Sequence, residues 1–133
     1  MANPRIDPFT IPIQEHLYAL VFFKSLSTGT GVSVSIYIHG TEFLKYDCQG
    51  IERGHYHIYD RGRDTKLFFM VGTDRTEQID ISINDISTNI TRYIRSCHDE
   101  NIRSFQIHPT RLEEALVIIK TKMVEYQQRF LNI

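Results

Sequence analysis

A chain of 133 residues and 15.6 kDa is one domain's worth of sequence, long enough to bury a core without staples. Hydrophobic residues at 41% and charged residues at 23% exclude disordered and fibrous classes. Fifteen Lys+Arg against sixteen Asp+Glu leave a net charge of -1, which argues against DNA-coating and membrane-surface proteins and leaves self-association unopposed.

In chain order, residues 1–12 hold Pro4, Pro8 and Pro12 and are expected to form an irregular lead-in. From about Ile13 to Lys24 the run of bulky and aromatic residues reads as a buried strand. Gly29-Thr30-Gly31 reads as a turn in which glycine supplies positive φ. Val32, Val34, Ile36 and Ile38 alternate with Ser33, Ser35, Tyr37 and His39, a period of two that assigns one face to the core. Gly40-Thr41 turns the chain into a strand over 42–48, completing a hairpin. A loop bracketed by Gly50 and Gly54 leads to a short strand over 55–60, and Arg61-Gly62-Arg63-Asp64 turns again into 66–71.

The period then becomes helical. Ile79, Ile83, Ile86, Ile90 and either Tyr93 or Ile94 form one apolar stripe, opened by Asp74 and Glu77 as a capping box. Residues 104–108 read as extended, a connection or an edge strand. Thr110 and Glu113 are expected to cap a last helix, with Leu112, Leu116, Ile119, Met123, Tyr126 and Phe130 as its core face. The result is one α+β domain over 1–133. A mainly antiparallel sheet of four to five strands (about 13–71) carries two C-terminal helices (about 75–97 and 110–131) on one face. Two helices cannot cover Tyr18, Tyr37, Phe43, Tyr56 and Tyr59, so an aromatic sheet face is expected to serve as a homodimer or binding surface.

Cys48 and Cys97 lie far apart, without metal-ligand spacing, and read as reduced thiols of a cytoplasmic protein. Cys48 is expected to be a buried structural residue, with no motif supporting a nucleophile. The N-terminus lacks a secretion-signal pattern and no apolar run is long enough to span a bilayer. No motif demands a cofactor.

Chemistry concentrates between Asp47 and Asp60. His55 and His57 point to one side of a strand, where two imidazoles can reach one transition metal such as zinc. A third ligand would come from Asp47, Cys48, Asp60, His39 or Glu42. The bland alternative is a pair of half-exposed histidines on a sheet surface. The same pair, with Asp47, could instead supply base and acid for cleaving RNA through the ribose 2′-hydroxyl. Arg53, Arg61, Lys45 and Tyr59 are then the candidate binding residues, although Asp47, Glu52, Asp60 and Asp64 dilute the local charge. His16, His98 and His108 read as surface residues.

Over about residues 30–95, the order of paired strands, Asp47, a loop ending in Gly54, His55-x-His57, another strand and a helix resembles small bacterial proteins with a Gly-His-x-His motif. It is also similar to TumE-type toxins of prokaryotic toxin–antitoxin pairs. The resemblance implies a toxin acting through Asp47, Gly54, His55 and His57 and an antitoxin-like protein partner. Cys48 after the aspartate and the helix from Thr110 depart from that pattern. Three functions therefore stand: a non-enzymatic homodimeric binding module, an RNase-like toxin, and a transition-metal-binding module.

Overall fold

The computed structural model describes residues 4–60 and 63–133. Six strands come first: β1 (Ile6–Gln14), β2 (Leu17–Leu26), β3 (Gly29–Ile38), β4 (Thr41–Cys48), β5 (His55–Asp60) and β6 (Arg63–Phe68). Helices α1 (Arg75–Arg95), α2 (Glu100–Arg103) and α3 (Pro109–Leu131) follow. Each strand pairs antiparallel with its chain neighbour, so the sheet order is the sequence order. This is the expected α+β architecture, with six strands in place of four to five. None of its helices is long and apolar enough to cross a membrane.

The extra strand lies in the proline-rich lead-in, and the expectation of irregular chain there is corrected from Ile6 onward. β1 is the sheet edge, where a proline's missing N–H costs no ladder bond. Register breaks fall between Ile6 and Phe9, around Pro8, and between Pro12 and Gln14. The strand expected over 13–24 is thereby split by a turn at His16, whose φ is 65°.

Gly29 and Gly31 are also reassigned, from a turn to the first residues of β3. A Cβ on Gly31 would stand 2.1 Å from the Cys48 carbonyl oxygen, so close backbone approach is what demands glycine there. The expected β3–β4 hairpin forms, its turn one residue earlier than Gly40-Thr41, at His39 and Gly40, with φ of 52° and 75°.

Asp74 caps α1 with Glu77 in a reciprocal capping box, as the spacing predicts. The second box does not form. Pro109 occupies the first turn of α3, which moves the cap back to His108, and Glu113 accepts from Ser87 instead. Residues 104–108 form no strand but an irregular link after the single turn of α2. The α3 stripe from Leu112 to Tyr126 is buried, together with Ile79, Ile86, Ile90 and Ile94 of α1. Both helices cover the face of the sheet that carries Val32, Val34, Ile36 and Ile38.

The aromatic residues divide between the two faces. Tyr56 stacks on Tyr46, whose hydroxyl donates to Asp85 of α1 at 2.7 Å, and Phe43 is fully buried. Tyr18, Tyr37 and Tyr59 stay half-buried on the helix-free face. That face nevertheless hides Ser33, Ser35, Asp47, Lys24 and Phe22. Long side chains roof it: the Arg5 guanidinium lies 4.6 Å from the Phe22 ring centre and donates to Tyr37 and Glu42.

Candidate metal centre

The β-ladder assembles the site. Asp47 of β4 faces Ser33 of β3 on one side and His55 of β5 on the other. Lys45 faces His57, and β6 places Lys66 beside His57 and Phe68 beside His55. Directly paired residues project to the same side of a sheet, so all of these converge on the helix-free face. The neighbouring Cys48 necessarily points the other way, into the helices.

A tight loop delivers β5. Gly50 has φ of 90°, and its carbonyl accepts from the Arg53 and Gly54 amides at 3.2 and 2.8 Å. Gln78 reaches from α1 to hold this loop: its Oε1 accepts from the Gly50 amide at 2.8 Å, and its Nε2 donates to the Gly50 carbonyl at 2.9 Å. The loop in turn presents the Arg53 carbonyl to His55.

Proton positions follow from these partners. Nδ1 of His55 lies 2.8 Å from the Arg53 carbonyl, which can only accept, so Nδ1 carries the proton. Nδ1 of His57 lies 2.7 Å from an Asp64 carboxylate oxygen and donates likewise. A neutral ring held in this way turns its Nε2 lone pair inward. The two Nε2 atoms stand 3.2 Å (His55) and 3.8 Å (His57) from Oδ2 of Asp47. That oxygen is buried and accepts no hydrogen bond.

The other carboxylate oxygen is well served. Oδ1 of Asp47 accepts from the Ser33 hydroxyl at 2.5 Å and lies 3.3 Å from the Lys24 ammonium. Burial alone would raise the Asp47 carboxyl. Against it stand the facing His55 ring when its Nε2 carries a proton, the Lys24 ammonium and the Ser33 hydroxyl, which together hold the group well below the usual carboxylate range. Burial lowers both His57 and Lys24 from their ordinary values, Asp64 and Asp47 respectively opposing it. Lys45 ends above its ordinary value, because Asp47 and Tyr59 outweigh its burial.

The donor set fits a small transition metal. Ligand atoms on a tetrahedron with bonds of about 2.1 Å stand about 3.4 Å apart. The Nε2–Oδ2 separations of 3.2 and 3.8 Å bracket that spacing. Both rings also have the outer hydrogen bond that fixes a ligating imidazole. Asp47, His55 and His57 can thus hold a metal ion, with the remaining positions open toward a cleft of about 440 Å³.

Of the suggested third ligands, only Asp47 joins the pair. His39 is in the β3–β4 turn and Glu42 is engaged by Arg5 and Ser35. Asp60 binds His98, its oxygen 2.5 Å from Nδ1, and is drawn down to about 2 chiefly by that bond. His98 and His108 are therefore structural partners, the latter capping α3. Lys45 and Arg53 line the cleft, and Tyr59 stacks on His57 with 5.4 Å between ring centres. Arg61 lies outside the described residues. The sequence reading missed Lys24 as a site residue; its only signal is a lone charge in an otherwise apolar strand.

Cys48 is fully buried against Ser82, and burial pushes its thiol up to about 12. Burial raises the Cys97 thiol too. Neither thiol should react with a soluble disulfide reagent at pH 8 in the folded protein, while both should react in denaturant. Native labelling at either position would contradict their assignment as inert core residues.

Compared with known proteins, the chain matches no family model, no curated protein and no solved structure at a significant level.

Proposed function

We propose that this chain is a transition-metal-binding protein whose centre is Asp47, His55 and His57, with zinc as the metal that best suits the donors. The observation that carries the reading is the buried Asp47 Oδ2, which accepts no hydrogen bond and faces two imidazole Nε2 atoms at tetrahedral spacing. Two nitrogens and one carboxylate oxygen with an open position are the ligand pattern of hydrolytic zinc sites. A metal there supplies a polarising centre or an activated water. The chain's own contribution is to orient both rings, through the Arg53 carbonyl and Asp64, and to exclude water from Asp47.

The other readings have less support. Cleavage through a ribose 2′-hydroxyl needs an acid and a base on opposite sides of the phosphodiester. Here both Nε2 atoms face one buried carboxylate. The toxin resemblance rests on the same Asp47, Gly54, His55 and His57 and fits either chemistry. Dimerisation through the helix-free face is less favoured, because much of that face consists of buried serine, lysine and aspartate.

Elemental analysis after loading with Zn²⁺ and dialysis should find one equivalent per chain. A Co²⁺-loaded sample should show the intense visible absorption of a tetrahedral site. His55→Ala and His57→Ala should each abolish retention, and Asp64→Ala should weaken affinity by about 10–100-fold through the outer hydrogen bond. A protein that retains no metal and leaves Co²⁺ with the spectrum of the aqueous ion overturns the reading.

A further inference from the structure

We infer that the ligand taken by this centre is a phosphate ester carrying a planar base, that is, a nucleotide unit. The inference deepens the metal-centre reading and rests on it for the contribution of the metal. Its own basis is the charge and shape of the cleft wall.

The chain as a whole has a net charge of -1, yet Lys24, Lys45, Arg53 and Lys66 all line this one cleft, against only Asp47 and Glu52. Lys24 spends its charge on Asp47. Among the described residues, Lys45, Arg53 and Lys66 have no acidic partner within ion-pair distance. Cations without ion-pair partners around a half-enclosed space leave a positive wall that an anion in the cleft would complement. A dication added at Asp47 would sharpen that imbalance further. The ligand must therefore bring more than one negative charge or several acceptor oxygens, and phosphate oxygens meet both conditions.

The wall also selects for something flat. Phe68 pairs with His55, lines the cleft and leaves its ring 64% exposed, free to meet a ligand. The Lys66 ammonium stands 5.1 Å from its ring centre, so a phosphate held by Lys66 leaves its attached base beside Phe68. Stacking on an exposed aromatic with a cation at the backbone is how base-bearing phosphates are held without sequence preference.

The test is calorimetric titration of the Zn²⁺-loaded protein with inorganic phosphate, adenosine 5′-monophosphate and a short single-stranded oligoadenylate. Adenosine monophosphate should bind more tightly than phosphate, and both should weaken as salt rises. Lys45→Ala and Lys66→Ala should each weaken both ligands by about tenfold with zinc content unchanged. Phe68→Ala should weaken the nucleotide by about tenfold and leave phosphate unaffected. Equal affinity for monophosphate and oligomer identifies a free nucleotide as the natural form; a gain on the oligomer identifies a strand, and either upholds the inference. Failure of all three to bind, or lysine variants that bind like wild type, overturns it. If the protein holds no zinc yet binds the ligands in a Lys45- and Lys66-dependent way, the metal reading falls and the ligand assignment stands.

Discussion

Asp47→Ala should destabilise the metal-free protein by about 3–5 kcal/mol, the range expected when one partner of a buried ion pair is removed. The affected group is Lys24, only 5% exposed, whose ammonium rests 3.3 Å from the carboxylate. Burial already lowers the Lys24 pKa, and without Asp47 the side chain must shed its proton or drag water into the sheet face. Ser33 loses its 2.5 Å acceptor at the same time. The control is Lys24→Met, which keeps the stem packed near Phe22 and removes the charge. In that background Asp47→Ala should cost far less, so the double-mutant cycle should give a coupling of at least about 2 kcal/mol. Urea unfolding in chelator reads this directly. A single-variant cost below about 1 kcal/mol, or equal costs in both backgrounds, would show that the pair is not the buried unit described above.

A second large effect is expected at a residue with no side chain. Gly54→Ala should cost about 3 kcal/mol or more, because its new methyl would stand 2.1 Å from Oε1 and 2.4 Å from Cδ of Gln78. Gln78 is 2% exposed and cannot step aside without losing its bonds to Gly50 and to the Thr73 carbonyl, the latter at 2.9 Å. The damage should travel into the site, since the displaced loop carries the Arg53 carbonyl that sets the His55 ring. Thermal unfolding and metal affinity should therefore fall together. Truncating the obstacle provides the check: in a Gln78→Ala background, Gly54→Ala should be nearly harmless. Equal cost in both backgrounds would place the strain elsewhere.

How much of this was legible in the sequence depends on the distance over which each residue finds its partner. The Val32–Ile38 alternation, the Asp74 cap and the α1 and α3 stripes are local patterns, and the structure carries each of them. His55 and His57 were visible because a strand puts every second residue on one side. Asp47 could only be named among five candidate ligands, because choosing it requires the β4–β5 register. Lys24 lies on β2, separated from Asp47 by the whole of β3, and nothing near it in the chain marks the encounter. Gln78 acts from the far side of the sheet and looks like one more polar residue in a helix. The edge strand β1 was hidden by its prolines, which forbid a central strand and tolerate an outer one.

The nearest-neighbour order of the strands has a kinetic consequence. Every pairing in the sheet closes a short segment, so the region bearing both imidazoles can zip up by successive local steps. The tie between the chain's two ends is of a different kind: Tyr126 donates to the Asp7 carbonyl across 119 positions, and Arg129 joins the Asp7 carboxylate. Docking of the last helix on the first strand should be the late event in folding and the first to be lost in partial opening. Amide exchange near the termini should then run ahead of exchange in β3 and β4 at the centre of the sheet.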